Sequence, residues 1–398
     1  MEKPREGMSA TGVAAALCGG LALAYPTYLA LMYRSHDWII AANGRPAITD
    51  FLVFWLAGRS ALHGAAATAY DPHFLHAAEA AAAGHAFTGA LPWRYAPHFL
   101  FVVGALALLP YLIAFLVWVA GSLAIFALTI GRIARTRIAM VLACATPAVF
   151  INAICGQNGP LTAALIGGTL LTLEEQPILS GIFLGLLSYK PQFGILFPLV
   201  LVAGGYWRAF GAAILASAGV VLASSMVFGS NSLWAFVHFL PITSNELLIH
   251  GVNGFGKLQT VYGLVRWLGY ANADAWVAQG AVVLAVCTAL VWLWRRELPF
   301  SLKAAALAVG VLLATPHLYA YDFAVLIVAF AFLYRERGFD LVEMTGIALA
   351  NLCVGLFLFF PSPIGLIALV LSTALVARRC AQHMRSPARA AAHVLSPV

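Results

Sequence analysis

The chain has 398 residues, of which 62% are apolar and only 9% carry a formal charge. A soluble domain carries about a quarter charged residues, so this composition excludes a cytosolic enzyme, a disordered chain and a secreted disulfide scaffold. The net charge of +7 comes from short basic clusters between apolar runs, which is typical of membrane topology signals and not of nucleic-acid binding. The class that remains is a helical membrane protein with many spans.

The apolar runs predict the fold class, because only helices or closed barrels satisfy their backbone polar groups in lipid. Several runs are too short for a straight crossing, which favours broken helices beside a protein-lined cavity. We predict an all-α membrane protein, a polytopic helical bundle of about 12 transmembrane helices that forms one domain over residues 1–398. The runs lie near residues 12–33, 97–131, 138–154, 160–173, 178–189, 193–206, 209–228, 276–294, 304–315, 323–334, 341–360 and 363–377.

The basic residues predict which side of the membrane each connection faces. With Lys3 and Arg5 in the cytoplasm, most Lys and Arg residues fall in cytoplasmic connections, and a cytoplasmic tail covers 378–398. This result requires the run 97–131, which Pro110 interrupts, to cross the bilayer once, through its second half. If both halves crossed, the basic clusters would lie outside.

Two long segments then face the outer side, a first loop at 34–96 and a second at 229–275. The second loop is rich in Gly, Asn and His, which makes it a candidate lid. In the first loop, one helical face carries residues at i, i+3, i+4 and i+7 spacing, namely Phe51, Phe54, Trp55 and Gly58. This spacing predicts an amphipathic helix that lies at the membrane surface with its aromatic face towards the lipid.

Asp50 opens that amphipathic helix and has two possible roles. It either caps the helix, where the helix dipole favours a carboxylate, or acts as a general base. The same dipole would keep a base ionised, as proton abstraction requires.

Two polar groups at helix ends also have two interpretations each. Lys190, followed by Pro and Gln192, either extends to lipid headgroups or binds a lipid phosphate. Gln157 and Asn158 form either a polar turn between helices or a hydroxyl-binding group, because amides both donate and accept hydrogen bonds.

Further candidates lie in the remaining outer segments. Asp322 stands where an apolar run begins, and ionisable groups within the membrane are functional candidates. It either forms a structural ion pair or binds a ligand, with His317 or Arg94 as possible partners. Arg94 alternatively binds a phosphate or lipid headgroups, and Asp71, in a Tyr-Asp-Pro sequence, either forms a turn or joins the site.

The sequence lacks the motifs of several common kinds of catalytic and metal site. It contains no phosphate-binding P-loop, no HExxH and no GxSxG motif, and its His, Cys and acidic residues lack metal-ligand spacing. We therefore expect no cofactor and no metal, and we interpret the six cysteines as apolar packing residues. A Gly181-x-x-x-Gly185 pair is typical of helix packing.

The chain carries, in this order, the motifs Asp50-Phe51-x-x-Phe54-Trp55-x-Ala57-Gly58, Leu62 and Gly64, Tyr70-Asp71, Gly156-Gln157-Asn158, Gly181-x-x-x-Gly185-Leu186, Lys190-Pro191-Gln192, Phe228-Gly229, Trp234-x-x-Phe and Thr315-Pro316-x-x-x-x-Tyr321-Asp322. Their order over roughly residues 50–330 resembles glycosyltransferase family 87. Two positions depart from the family pattern: Tyr95-Ala96-Pro97 replaces Tyr-Pro-Pro, and Thr315-Pro316-His317 replaces Thr-Pro-Tyr, which points to a different acceptor or an adapted phosphate site.

The resemblance implies a GT-C enzyme that moves a sugar, with mannose as the first expectation, from a polyprenyl-phosphate donor to a lipid or cell-envelope glycan. Family members act at the outer face of the bacterial inner membrane, with inversion at the anomeric carbon. Matched by motif, Asp50 is the general base, and Lys190, His317 and, more weakly, Arg94 contact the phosphate. The residues implied for the sugar or acceptor pocket are Gln157, Asn158, Gln192, Tyr321 and Asp322, with Asp71 as a further candidate.

A transporter or flippase of an amphiphilic lipid is the alternative. It predicts inverted repeats and charged residues near mid-helix in both halves of the chain. The sequence has no internal repeat of this kind, and its unusual polar residues gather on one side.

Overall fold

The computed structural model describes the backbone of residues 10–89 and 91–394, and the side chains of these residues except 10–18, 22 and 386–394. Within these ranges the chain is helical apart from one pair of two-residue antiparallel strands, β1 (Asp37–Trp38) and β2 (Ile40–Ala41). The helices are α1 (Ala10–Arg34), α2 (Asp50–Leu62), α3 (Pro72–Ala83), α4 (Leu100–Ala107), α5 (Tyr111–Ala134), α6 (Ile138–Cys144), α7 (Pro147–Cys155), α8 (Gly159–Thr172), α9 (Pro177–Leu186), α10 (Pro191–Gly194), α11 (Phe197–Ala203), α12 (Trp207–Phe228), α13 (Ser230–Leu248), α14 (Val261–Trp267), α15 (Asn272–Trp294), α16 (Phe300–Ala314), α17 (Ala324–Glu336), α18 (Leu341–Leu356) and α19 (Gly365–Val394). Short 3₁₀ turns lie at Ala66–Tyr70, Pro97–Phe99, Leu187–Tyr189, Phe255–Lys257 and Ala320–Phe323.

Four of the described helices are long and apolar enough to cross a membrane: α5, α12, α15 and residues Gly365–Arg385 of α19. A fifth span results if α6 and α7, which meet at a bend of 54°, are counted together. Six further apolar helices in the described ranges are shorter than this. The helical fold class with several candidate membrane spans is thus confirmed, whereas the number of twelve crossings stays a prediction.

The break at Pro110 lies where the sequence predicted it. Pro110 immediately precedes α5, and the preceding α4 has only eight residues. Helix α4 packs against α2 of the first loop, and α5 alone has the length of a span. This arrangement agrees with one crossing in the run 97–131.

Three helices form the centre of the protein. Most residues of α16 and α17 are buried, and α8 packs against both α17 and α5. A helix that is apolar on all sides requires neighbours all round, which agrees with the position of the charged residues of α16 and α17 near the helix ends.

The Gly181 and Gly185 pair packs α9 against α12, as its spacing predicted. A Cβ atom at Gly181 would lie 2.6 Å from the carbonyl oxygen of Ala209, and one at Gly185 would lie 2.4 Å from the Cβ of Ala216. Only residues without a side chain allow this approach of the two helices.

The amphipathic helix of the first loop is not a membrane-surface helix, which corrects the prediction. Phe51 and Phe54 of α2 are almost completely buried inside the protein, where they contact rings from α5 and from residues 93–99. The aromatic face found in the sequence therefore packs against protein and not against lipid.

The structure places helices in two further segments that the sequence singled out. Residues 229–275 are mostly helical, because α13 and α14 occupy much of what was predicted as a loop. The predicted tail at 378–398 continues α19 as far as Val394. Residues 395–398, and the basic Lys3 and Arg5 used to predict sidedness, lie outside the described residues.

A buried ion cluster holds α19 at Arg378 and Arg379. Arg379 is 2% exposed and forms an ion pair with Glu343 at the start of α18 and with Glu336 at the end of α17. Arg378 also pairs with Glu343, with 3.0 Å between the nitrogen and oxygen atoms. These contacts attach α19 to the neighbouring helices at the end of the molecule far from the site described below.

Candidate active site

One cavity of about 690 Å³ collects the polar residues that the sequence singled out. Its walls come from the start of α2, the α7–α8 turn, and the segments 87–95, 190–192, 252–257 and 317–322. Eight of the ten predicted site residues line it: Asp50, Arg94, Gln157, Lys190, Gln192, His317, Tyr321 and Asp322.

The Asp50 carboxylate is held by a chain of hydrogen bonds. Gln157 donates from Nε2 to Oδ2 of Asp50 over 3.0 Å, and the Tyr95 hydroxyl donates to Oε1 of Gln157, also over 3.0 Å. The backbone N–H of Asn158 donates to the same Oε1. Two donors on the amide oxygen leave the amide nitrogen to face Asp50, so the orientation of Gln157 is determined.

The turn that carries Gln157 depends on Gly156. Its φ of 69° lies in the left-handed region, which favours glycine. A Cβ there would lie 2.5 Å from the Cβ of Phe51, the residue after Asp50. The indole N–H of Trp118 donates to the Gly156 carbonyl oxygen, so the turn is fixed directly against the start of α2.

Burial raises the pKa of Asp50 above its usual range. The hydrogen bond from Gln157 opposes this effect, as do the positive charges of Lys257, Arg94 and Lys190. Thr49, at the N-cap of α2, makes no side-chain capping bond. The sequence analysis considered only the helix dipole, which favours the ionised carboxylate. The dominant effect on the pKa is removal of the carboxylate from water, which the sequence analysis left out.

Lys190 and Asp322 form a buried ion pair. Nζ of Lys190 lies 2.9 Å from Oδ1 of Asp322, and both side chains are less than one-tenth exposed. The backbone N–H of Tyr319 donates to the other oxygen of Asp322. The sequence left open whether Asp322 forms a structural ion pair or binds a ligand, and the structure favours the ion pair. Its partner is Lys190, and not His317 or Arg94.

His317 and Arg94 lie close together in the cavity wall. Burial lowers the pKa of His317 to about 4, and the positive charge of Arg94 acts in the same direction. The imidazole is therefore neutral near pH 7. It can donate one hydrogen bond to an anion but adds no charge, whereas the Arg94 guanidinium beside it offers several N–H donors.

The other two predicted residues do not line the cavity. Asn158 is fully buried behind it and contributes its backbone N–H to Gln157. Asp71 is the N-cap of α3, where its carboxylate accepts from the backbone N–H groups of His73 and Phe74. Its Tyr-Asp-Pro sequence thus marks a helix start, since Asp is a preferred N-cap and Pro a preferred first residue.

Sequence reasoning missed several residues that do line the cavity. Lys257 and Asn253 come from the glycine-rich segment before α14, and Tyr95 and Tyr319 come from the segments of Arg94 and His317. The glycines of 251–256 drew attention to that segment as a lid, but no motif distinguished its lysine. Tyr95 stands next to Arg94, yet its bond to Gln157 joins residues 62 positions apart.

Within residues 10–89 and 91–394, no three His, Cys, Asp or Glu side chains are grouped so that they could hold a metal ion. The five cysteines with described side chains are free thiols. The expectation of a metal-independent reaction stays a prediction, which activity after chelation would test.

The fold and the cavity define a helical membrane protein in which two carboxylates, Asp50 and Asp322, share one cavity with several cations. The family model of glycosyltransferase family 87 matches residues 93–316, more than half of the chain. The protein therefore belongs to glycosyltransferase family 87, and it transfers a sugar from a donor to an acceptor. Asp50 precedes the matched range. No match was found among curated proteins or among solved structures.

Proposed function

We propose that the protein is an inverting GT-C glycosyltransferase of the bacterial inner membrane. It moves a hexose, with mannose as the first expectation, from a polyprenyl-phosphate donor to a lipid or cell-envelope glycan. The cavity faces the periplasm or cell exterior, and Asp50 is the general base.

The observation that carries this proposal is the hydrogen bonding of the Asp50 carboxylate among the described residues, which leaves one of its two oxygens free. Gln157 binds one oxygen, and the other makes no hydrogen bond to any residue that the structure describes. That oxygen is available to an acceptor hydroxyl in the cavity. A carboxylate whose pKa is raised by burial is also a stronger base than one in water.

The reaction follows from this arrangement. The acceptor oxygen forms a bond to the anomeric carbon while its proton passes to Asp50. The bond between that carbon and the phosphate oxygen breaks on the opposite face, which inverts the configuration. Polyprenyl phosphate leaves with the electron pair, so positive groups on its side of the cavity stabilise the transition state.

A lipid-linked donor is supported by the apolar part of the cavity wall. Ile151 and Ile154 of α7 line it together with Phe357, which follows α18. Past Phe357, the neighbouring Phe359 and Phe360 are mostly exposed. A prenyl chain that leaves the cavity along these residues would pass directly into the bilayer.

The test measures transfer from radiolabelled polyprenyl-phosphate-mannose to a bacterial lipid extract by purified protein in lipid. We expect the wild type to transfer label and Asp50→Asn to lose at least about 100-fold in rate, because general-base catalysis contributes roughly that factor or more. Asp71→Asn is the matched control. It changes another acidic residue of the first loop, one that caps α3 outside the cavity, and should keep wild-type activity.

The outcomes are distinct. Equal transfer by Asp50→Asn and wild type would remove Asp50 as the base. Loss in both acidic variants would point to a folding defect, which thermal unfolding would reveal. If the wild type moves the intact donor across a bilayer without forming a product, the transporter alternative is correct.

A further inference from the structure

Among the residues that the structure describes, five charged side chains line the cavity, and two of them neutralise each other. Asp50 and Asp322 are acidic, whereas Arg94, Lys190 and Lys257 are basic. Lys190 is bound to Asp322. The charges left to act on a substrate are therefore those of Asp50, Arg94 and Lys257, a net charge of +1.

Lys190 is poorly placed to leave its partner. Both members of the ion pair are buried, so moving Lys190 towards a substrate would leave the Asp322 carboxylate in a low-dielectric site without a counter-charge. Charge for an incoming anion is more readily supplied by groups that have no acidic partner.

Lys257 is such a group, and its backbone is held firmly. Gln259, which is fully buried, donates from its amide nitrogen to the carbonyl oxygens of Gly256, Lys257 and Ser362 over 3.1–3.2 Å. Its amide oxygen accepts from the N–H of Gly365 over 2.8 Å. One side chain thus attaches the 3₁₀ turn that carries Lys257 to the connection between α18 and α19.

A second contact attaches the same segment to the wall of the cavity. The N–H of Gln259 donates to the carbonyl oxygen of Leu318, and the Thr260 hydroxyl donates to that of Pro316. Lys257 is therefore placed beside the His317 segment by its backbone. Its side chain is exposed at the cavity mouth and forms no ion pair with any described residue.

Arg94 is the other free cation. It is half-buried in the cavity wall, and its buried Nε makes no hydrogen bond within the described part of the chain. A buried guanidinium nitrogen without an acceptor is costly, so an anion that enters the cavity would satisfy it.

We propose that Lys257, together with Arg94, binds the phosphate of the lipid-linked donor and stabilises it as the leaving group. This inference rests on the proposed function and extends it to a residue that no sequence motif marked. A donor phosphodiester carries one negative charge, which matches the net charge of +1 formed by Asp50, Arg94 and Lys257.

The match of charge persists through the reaction. When the acceptor proton neutralises Asp50, the breaking bond leaves a second negative charge on the phosphate. Two free cations then face a dianion, so the cavity is neutral before and after transfer. Removing Lys257 would leave one negative charge without a counter-charge at the stage where the leaving group departs.

The test measures binding of farnesyl phosphate and of farnesol to the full-length protein in detergent by calorimetry. Four proteins are compared: wild type, Lys257→Met, Lys257→Arg and Arg59→Gln. Arg59→Gln removes one positive charge from an exposed position of α2 that does not line the cavity. Thermal unfolding verifies that each variant is folded.

We expect the wild type to bind farnesyl phosphate more tightly than farnesol. Lys257→Met should weaken phosphate binding about tenfold, the effect of losing one charge-assisted contact, and leave farnesol binding unchanged. Lys257→Arg should restore most of the affinity, and Arg59→Gln should behave as the wild type.

Two failures are distinguishable. If the wild type binds farnesyl phosphate no better than farnesol, the lipid-phosphate donor is wrong and the inference fails with it. If the wild type prefers the phosphate and folded Lys257→Met binds it equally well, the assignment of Lys257 is overturned and the proposed function stands.

Discussion

At the scale of single residues, Gln157 is the side chain whose role changed most between sequence and structure. The sequence left open a polar turn or a hydroxyl-binding amide. In the structure its amide nitrogen donates to Asp50, and its oxygen accepts from Tyr95 and from the backbone of Asn158. A donor aimed at a carboxylate stabilises the ionised form, so Gln157 is suited to orient Asp50 and to limit the rise of its pKa.

Gln157→Met should shift the acidic limb of the pH profile of kcat/KM to higher pH. A hydrogen bond to a charged group contributes about 1.5–3 kcal/mol, which corresponds to a shift of about 1–2 pH units. The sign follows because the base acts when ionised, and loss of the donor raises the pKa of Asp50 further.

The matched control for this prediction is Gln192→Met. It makes the same chemical change in the cavity wall, at a residue without a hydrogen bond to Asp50 among the described contacts. Its pH limb should coincide with that of the wild type. A uniform fall in rate at every pH for Gln157→Met, with the limb unmoved, would contradict a role through Asp50.

At the scale of elements, α2 is the helix that places the catalytic candidate. Phe54 lies at the centre of an aromatic group, with ring centroids 5.3–5.9 Å from those of Trp93, Tyr95, Phe99 and Trp118. These rings join α2 to α5 and to the segment that carries Arg94. The position of Asp50 relative to Arg94 therefore depends on this packing.

Phe54→Ala should destabilise the protein by about 3–5 kcal/mol, since it leaves a large cavity in a rigid aromatic core. Transfer activity should fall as well, because the start of α2 loses its main support. Unfolding by denaturant in detergent gives the first quantity and the transfer assay the second.

Phe359→Ala provides the comparison, because this ring is 76% exposed. Its removal should change the free energy of unfolding by less than about 0.5 kcal/mol. Similar unfolding curves for the two variants would show that the aromatic group does not support α2.

At the scale of the whole molecule, the structure relates sidedness to the cavity. The start of α5 contacts the first loop, where the Tyr111 hydroxyl lies 3.2 Å from that of Thr49. The 24 residues of α5 then extend about 36 Å. The basic connection after α5 consequently lies at the opposite end from the cavity.

This geometry predicts opposite labelling of two single-cysteine variants made in a background without the six native cysteines. His85→Cys lies in the exposed first loop, and Arg137→Cys lies in the exposed connection after α5. A membrane-impermeant maleimide applied to intact spheroplasts should label the first and reach the second only after permeabilisation, if basic connections are cytoplasmic. The reverse pattern would place the cavity in the cytoplasm.

The membership of glycosyltransferase family 87 and the helical membrane fold could be predicted from sequence because both depend on local information. Apolar runs predict helices by their length, and motif order is a property of the chain itself. The surface position of α2 was predicted wrongly, because the aromatic spacing is the same whether the face meets lipid or protein. The outer loop and candidate lid at 229–275 were predicted from the segment's Gly, Asn and His content, which did not locate α13 and α14.

The sequence by itself determined which chemical groups form the site: an acidic residue at the start of α2, cations in separate connections, and polar turns between apolar helices. Only the tertiary structure decided how those residues pair. Lys190 and Asp322 are 132 positions apart, and Gln157 and Asp50 are 107 apart. Nothing in either local sequence specifies these partners. Burial decides them, since a charge removed from water must find a counter-charge or a hydrogen bond among the groups that folding brings within reach.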